Sequence, residues 1–441
     1  MLPSNVYEAL LRLNEAGYEA WLVGGCVRDR LMGAEPHDYD ITTSASPEET
    51  EAVFAGERVI ETGLRHGTVT VLLHGEPIEI TTFRTEAAYS DHRRPDSVSF
   101  TRSLRKDLAR RDFTVNAIAM DAEGNLCDPY GGKTDLEERI LRAVGDAEAR
   151  FREDALRILR CLRFSSVLGF SIEPETSAAM IRCRNLLDYV SAERTYAELT
   201  KLLCGMDVRR VLMEYTDVLG AVLPELLPMK GFDQRNYHHV YDVLEHTARV
   251  VEHVPPEARL RWAALFHDAG KPACFTQDDH GVGHFYGHAE KSRELADAAL
   301  LRLKTDNATR EAADQLIRYH DWPIEPTAPA VRRALHKLGP EGLRDLIALK
   351  RADNLAQAPK YRDRQRTCDE IEAMAEQVLA EEQAFSLKDL AVNGDDLRAM
   401  GMSPGPEMGI LLDRLLDDVI ADRLPNERNA LLAKASLLLA Q

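Results

Sequence analysis

Three segments of this chain combine residue types and spacings that suit chemistry on phosphates. The first runs Leu22-Val23-Gly24-Gly25-Cys26-Val27-Arg28-Asp29 and resumes at Asp38-Tyr39-Asp40-Ile41. A strand, a Gly24-Gly25 turn and a helix start present bare backbone N–H groups to a phosphate, and Arg28 adds a charged fork. Asp38 and Asp40, expected at i and i+2 of one strand, point two carboxylates to one face, where they can hold two Mg²⁺ ions. Such ions activate an attacking hydroxyl and stabilise a departing pyrophosphate in an in-line displacement. Glu79, alternating with apolar neighbours in Ile78-Glu79-Ile80-Thr81, is the candidate third carboxylate. The second segment is Arg110-Arg111-Asp112-Phe113-Thr114-Val115-Asn116. Arg111 and Asn116 offer charged and neutral donors to triphosphate oxygens. Asp112 can accept from a ribose hydroxyl, cap a helix start, or do both. The third runs from Arg152 to Phe164 and reads as one helix, with Glu153, Asp154 and Arg157 on neighbouring faces of a single turn. By spacing alone, Asp154 with Arg157 is an ordinary i,i+3 surface ion pair.

Together, Gly24-Gly25-x-Val27-Arg28-Asp29, Asp38-x-Asp40 and Arg111-Asp112-Phe113-x-Val115-Asn116 resemble the signature of class II tRNA nucleotidyltransferases and bacterial poly(A) polymerases, members of the DNA polymerase β superfamily. The likeness continues through Asp128-Pro129-Tyr130-Gly131-Gly132 and covers essentially the whole chain. It implies that Asp154 and Arg157 select the incoming base. Cytosine and adenine each carry an amino donor beside a ring-nitrogen acceptor, which a carboxylate and a guanidinium complement; uracil and guanine reverse that order. Glu153, Arg160 and Arg163 join this nucleotide-binding set, as does Arg194 in Ser191-Ala192-Glu193-Arg194, an element that braces the selecting helix in the family.

Within the family, the segment from Thr62 to Val71 lacks the Gly-basic-basic-Phe signature of poly(A) polymerases. The charged stretch Phe83-Arg84-Thr85-Glu86 through Arg93-Arg94-Pro95 resembles the lever that enzymes adding only CC lack. Full addition of C, C and A to tRNA from CTP and ATP is therefore expected, with poly(A) polymerase as the alternative.

A further constellation comprises His246, His267-Asp268, His288, His320-Asp321 and Asp353. It resembles the HD phosphohydrolase superfamily. The resemblance implies that His246, His267, Asp268 and Asp353 ligate one divalent metal, and that His288 and His320 serve a second. Imidazole and carboxylate suit Mn²⁺, Ni²⁺, Co²⁺, Fe²⁺ or Zn²⁺ without choosing among them. A bound metal would lower the pKa of water for attack on a phosphate ester. Members with this domain act on 2′,3′-cyclic phosphates and phosphate monoesters. His238, His239 and His284 are expected to be bystanders. A rival reading is an HD phosphohydrolase whose head only senses nucleotide.

The net charge of −18 argues against a nucleic-acid binder as a whole, yet Arg84 to Arg111 carries eight Arg and Lys against four acids. tRNA is the expected partner; DNA and membrane are not. The seven scattered cysteines form no CxxC pair, and no apolar run is long enough to span a bilayer, so the expected setting is cytoplasmic. The oligomeric state is left open.

The elements that must position these groups fall into an α+β arrangement. A polymerase-β-like head with a mixed sheet and helices is expected over residues 1–140, where short Val/Ile/Thr-rich runs alternate with helical patterns. After it come an all-α neck (141–205), a helical body with the HD domain (206–375, core 237–355) and a helical tail (376–441) that contacts tRNA by resemblance, with a turn at Pro404-Gly405-Pro406.

Overall fold

The computed structural model describes every residue except 1, 64–66, 87–97, 363, 440 and 441. It divides into two compact units, Met1–Pro224 and Glu225–Gln441. The tip of the charged stretch, with Arg93 and Arg94, and the Leu64-Arg65-His66 part of the poly(A)-discriminating segment lie outside the described residues.

The first unit opens with the amphipathic helix Ser4–Glu15, which buries Val6, Ala9, Leu10 and Leu13. Behind it lies a seven-stranded mixed sheet. Its strands include β1 (Ala20–Val23), β2 (Asp40–Thr43), β3 (Arg58–Gly63), β4 (Thr68–Leu73) and β5 (Glu76–Thr82). They lie in the order β3-β4-β5-β2-β1, extended by the short strands Ala119–Met120 and Leu126–Cys127. The β4–β5 hairpin turns on His74 and Gly75, both at positive φ (55° and 86°), a backbone twist that matches the flanking strands. β1 and β2 pair antiparallel, while β2 and β5 pair parallel with Asp40 beside Glu79. Strand β2 begins at Asp40. Asp38 therefore precedes the strand instead of occupying its i position, and the two carboxylates are set by a loop and a strand.

The segment from Arg152 to Phe164 is also not one helix. Ala147–Glu153 ends at Asp154 (φ −133°, ψ 105°), and a second helix runs Leu156–Leu168. Asp154 accepts from the Leu156 backbone N–H at 3.0 Å, a local bond that competes with helix continuation. The second helix buries Ile158, Leu159, Cys161 and Leu162 and packs against Ala192–Leu203. Ser191 occupies the N-cap position of the latter without a side-chain capping bond.

The second unit is helical apart from the two-residue ladder Thr276–Gln277/Gly283–His284. Helices Val243–His253, Ala258–Phe266, His288–Arg302, Asn307–Tyr319 and Ala328–Leu355 pack around Trp262, Phe266 and Leu346. The last of these kinks at Gly339 (φ 72°), just ahead of Pro340. Helices Gly394–Ala399, Pro406–Ile420 and Arg428–Leu439 close a smaller core around Leu397, Leu415 and Leu431. No helix among the described residues is long and apolar enough to cross a membrane.

Candidate functional site

In the first unit, Asp38, Asp40 and Glu79 line one cavity of about 600 Å³. Their oxygens form no close ligand triad; the only such triads among the described residues lie in the second unit. Desolvation raises the Asp40 carboxyl from its ordinary value, Arg111 opposes the rise, and Asp38 adds to it. The strand end thus concentrates negative charge that a cation would offset.

Gly24 makes this packing possible. It sits at φ 78°, and a Cβ there would lie 3.1 Å from Arg111 Nη1 and 3.9 Å from Asp40 Oδ2. Arg111 Nη2 also lies 3.7 Å from the fully buried Asp107. Asp107 also accepts from the Arg84 backbone N–H and from Arg110. In the sequence Asp107 shows only as an acid in a basic stretch, which singles out no role.

The remaining head residues form one network. Arg28 donates to Asn116 Oδ1 at 2.9 Å, and Asn116 Nδ2 donates to Asp112 Oδ1 at 3.1 Å. Asp112 accepts from the Phe113 N–H and from Arg160 Nε at 2.8 Å. Burial would raise the Asp112 carboxyl, but Arg160 and Asn116 outweigh burial and bring it down to about 2. Both Asp112 oxygens are engaged within the protein, and neither caps the turn Thr114–Asn116. The guanidinium carbons of Arg28, Arg160 and Arg163 lie 5.1, 5.4 and 4.0 Å from the Phe164 ring centroid. Phe164 therefore gathers three cations that an isolated sequence cannot group. Arg163 Nε also lies 3.0 Å from Glu198 Oε2 on the bracing helix.

Asp154 and Arg157 do not pair with each other. Arg157 bonds Glu153 and donates to the carbonyls of Arg150 and Arg110 at 3.0 Å each. Asp154 accepts from Arg194 Nη2 at 3.0 Å. Each of the two is fixed by its own partners, as a preorganised donor and acceptor require.

In the second unit, His246 lies within helix Val243–His253, His267 and His320 at helix C-caps, His288 at a helix start and Asp353 near a helix end. All four histidines converge with Asp268. Two triads result, His246-His267-Asp268 and Asp268-His288-His320, each with ligand atoms within 4.8 Å of one another. Asp268 serves both: Oδ2 lies 3.3 Å from each Nε2 of His246 and His267, and Oδ1 lies 3.4 and 3.8 Å from those of His288 and His320. Asp353 Oδ1 adds to the first triad, 2.9 Å from His246 Nε2.

Every one of these imidazoles has Nδ1 against a backbone carbonyl, of Ala356, Ala264, Phe285 and Ile317 respectively. That bond fixes the tautomer and turns the Nε2 lone pair inward, as a metal ligand needs. The Nε2 atoms of His246 and His267 are enclosed without an aligned hydrogen-bond partner. Burial would lower His246, yet Asp268 and Asp353 hold it up at about 9, the mark of a pocket short of cationic charge. These donor sets fit two divalent metals sharing Asp268.

Gly270 lets the His288 helix close on the centre, since a Cβ there would meet the His288 carbonyl at 2.5 Å. Lys271, which the sequence reading did not single out, places Nζ 2.7 Å from Asp268 Oδ2. Its signal was a cation three residues after Asp268. His238, His239 and His284 line the cavity wall, and His239 packs edge-on to His246.

Comparison with known proteins matches three segments of the chain. Residues 20–142 match the poly A polymerase head domain, 169–230 the probable RNA and SrmB-binding site of polymerase A, and 285–435 a putative tRNA nucleotidyltransferase domain 2. A CCA-adding enzyme of Levilactobacillus brevis is 37% identical over 429 residues, covering 96% of this chain and 95% of the relative. One from Latilactobacillus sakei is also 37% identical, over 97% of this chain and 96% of its own length. The crystal structure of the Bacillus stearothermophilus CCA-adding enzyme in complex with CTP is similar over 100% of this chain and 98% of its own, with TM-score 0.73 and 31% identity. With that identity sustained over nearly its full length, and the head network in place, this chain belongs to the family of CCA-adding enzymes.

Proposed function

We propose that the protein completes the 3′ end of tRNA by adding C, C and A from CTP and ATP. The observation that carries this is the separate anchoring of Asp154 and Arg157, which would let one accept from and the other donate to a base edge. Asp38, Asp40 and Glu79 would hold Mg²⁺, which supplies a more acidic 3′-hydroxyl and charge neutralisation at the leaving pyrophosphate. Arg111, beside Asp40 and opposite Gly24, is placed to meet triphosphate oxygens with Arg28 and Asn116. Asp112 and Arg160 brace that surface, and a ribose hydroxyl would reach Asp112 only by displacing one of its four donors. Relatives named CCA-adding enzymes favour this reading over poly(A) synthesis. The test is incubation of a tRNA lacking CCA with CTP and ATP, then sequencing of the ends: CCA supports the proposal, while homopolymeric A addition from ATP alone overturns it.

A second activity is favoured by the Asp268 centre. We infer an HD-type phosphohydrolase there, with His246, His267, Asp268 and Asp353 holding one divalent metal and Asp268, His288 and His320 the other. The metals would supply an activated water; Lys271 offers a cation to the phosphate. Cleavage of a 2′,3′-cyclic nucleotide that is lost on chelation and in Asp268→Ala, but kept in Asp40→Ala, supports a distinct second site. Loss in Asp40→Ala refutes it.

A further inference from the structure

The Asp268 centre does not sit at the bottom of a single pocket. Two cavities of about 450 and 430 Å³ meet there, and His320, Asp321, Asp353 and Arg364 line both. The first opens past Lys271 to Tyr286, which is 80% exposed. The Tyr286 ring lies parallel to that of His284, at 8° and 5.6 Å. His284 is in turn fixed by a 2.9 Å contact between Nε2 and Asp278 Oδ2. One face of Tyr286 is thus supported from behind by a held ring. The second cavity is lined by Trp322, Ile324 and Ile371. Trp322 leans on Tyr319, with ring centroids 5.5 Å apart.

A phosphate at the shared residues therefore borders two spaces, each with an aromatic residue in its wall. A monoester or a cyclic phosphate of one nucleoside fills only one of them. Resting on the phosphohydrolase reading above, we propose that this centre takes an acyclic phosphodiester joining two nucleosides, with one base on Tyr286 and the other on Trp322. The same chemistry occurs in a free dinucleotide and in the last linkage of a single-stranded RNA. In the reaction, water adds its oxygen to phosphorus and the P–O bond to one ribose oxygen breaks. That oxygen takes a proton, giving a nucleoside alcohol and a phosphate monoester. Arg364, at the junction of the two spaces, and Lys271 lie on the path of the phosphate charge.

The test uses the full-length protein loaded with Mn²⁺. Hydrolysis of ApA is compared with that of 2′,3′-cyclic AMP and 3′-AMP, with a short oligoadenylate as a further arm. Binding of a phosphorothioate ApA is measured by calorimetry, and bound Mn²⁺ is counted. The proposal expects a higher kcat/KM for ApA than for either mononucleotide. It also expects Tyr286→Ala, at an exposed position that folding does not need, to weaken phosphorothioate binding roughly 5- to 150-fold, the range that base–aromatic stacking commands. Trp322→Ala should lower kcat/KM for ApA more than for the cyclic nucleotide. Oligoadenylate cleaved faster than ApA identifies an RNA end as the source, and the reverse identifies a free dinucleotide. If Mn²⁺ binds and the cyclic nucleotide is cleaved, but ApA is no better a substrate and binds Tyr286→Ala as tightly as wild type, the two-sided reading alone is overturned. If neither Mn²⁺ binding nor any hydrolysis depends on Asp268, the metal-centre reading falls and this inference with it.

Discussion

Replacing Asp154 tests the base-selecting pair directly. Its carboxylate has two contacts in the protein, the Leu156 N–H at 3.0 Å and Arg194 Nη2 at 3.0 Å. The first resembles a helix N-cap, whose loss costs about 0.5–2 kcal/mol. The second joins side chains that are 19% and 30% exposed, so it is worth about 0–1 kcal/mol. Asp154→Ala should therefore cost about 0.5–3 kcal/mol of stability, readable by denaturant unfolding and smaller than the roughly 5–15 kcal/mol that holds a domain folded. Selectivity should suffer separately. An unpaired base donor in a confined site costs roughly 1–3 kcal/mol, or about 5- to 150-fold in discrimination against UTP and GTP. Asp154→Asn makes a sharper prediction. The Leu156 N–H will hold the amide oxygen, so the NH₂ group replaces the oxygen that accepts from Arg194, breaks that contact and offers a donor to the base. A donor there favours the carbonyls of uracil and guanine, so misincorporation should rise above that of the alanine variant. Arg194→Ala, which only frees Asp154, should lose less selectivity than either. The assay is single-turnover incorporation of each NTP on a CC-ended tRNA. A uniform slowing of all four nucleotides in both Asp154 variants would reduce the residue to a structural turn and refute the template argument.

Three other outcomes are expected. Asp40→Asn should abolish nucleotide addition while retaining tRNA affinity in filter binding, because the carboxylate faces the cavity with Asp38 and Glu79; near-normal addition would remove it from the metal site. Mn²⁺ at about a hundredfold excess over its Kd should stabilise the protein by about 2.7 kcal/mol, seen as a rise in the melting temperature of the second unit. Asp268→Ala, lacking the shared ligand, should show no rise, and an equal shift in the variant would refute shared coordination. Asp112 is held at about 2, below its ordinary 3.8, so its stabilisation is full above pH 4 and lost as pH falls through 2. The shift is worth about 2 kcal/mol, of which about 1 kcal/mol is gone by pH 3. Asp112→Asn should therefore lose about 1 kcal/mol less than wild type between pH 5 and pH 3 in denaturant titrations, and parallel curves would show that the Arg160 pair contributes nothing.

Residue types and their order in the sequence were enough to place the chain among the CCA-adding enzymes and to propose a second chemistry. Gly24-Gly25, Asp40 and Asn116 belong to a phosphate-handling head because backbone N–H groups, carboxylates and donors have few other reasons to recur in that order. The strands Thr68–Leu73 and Glu76–Thr82 were legible because one face is buried and side chains alternate. The six ligand-type residues of the second unit were legible by identity, since imidazole and carboxylate declare themselves. Which residue pairs with which was not in the sequence. The Asp154–Arg157 spacing suits an ion pair, yet a backbone bond to Leu156 breaks the helix there and sends Asp154 to Arg194, forty positions away. Asp38 and Asp40 looked like one strand face, but the strand starts only at Asp40. That Asp268 is shared by two triads depends on three helix ends meeting helix Val243–His253 within a few ångströms. Such convergence is set by helix packing, enabled at Gly270 by the absence of a Cβ. Local chemistry is written in residue identity, whereas pairing, sharing and enclosure arise only when distant segments compete for the same partners in three dimensions.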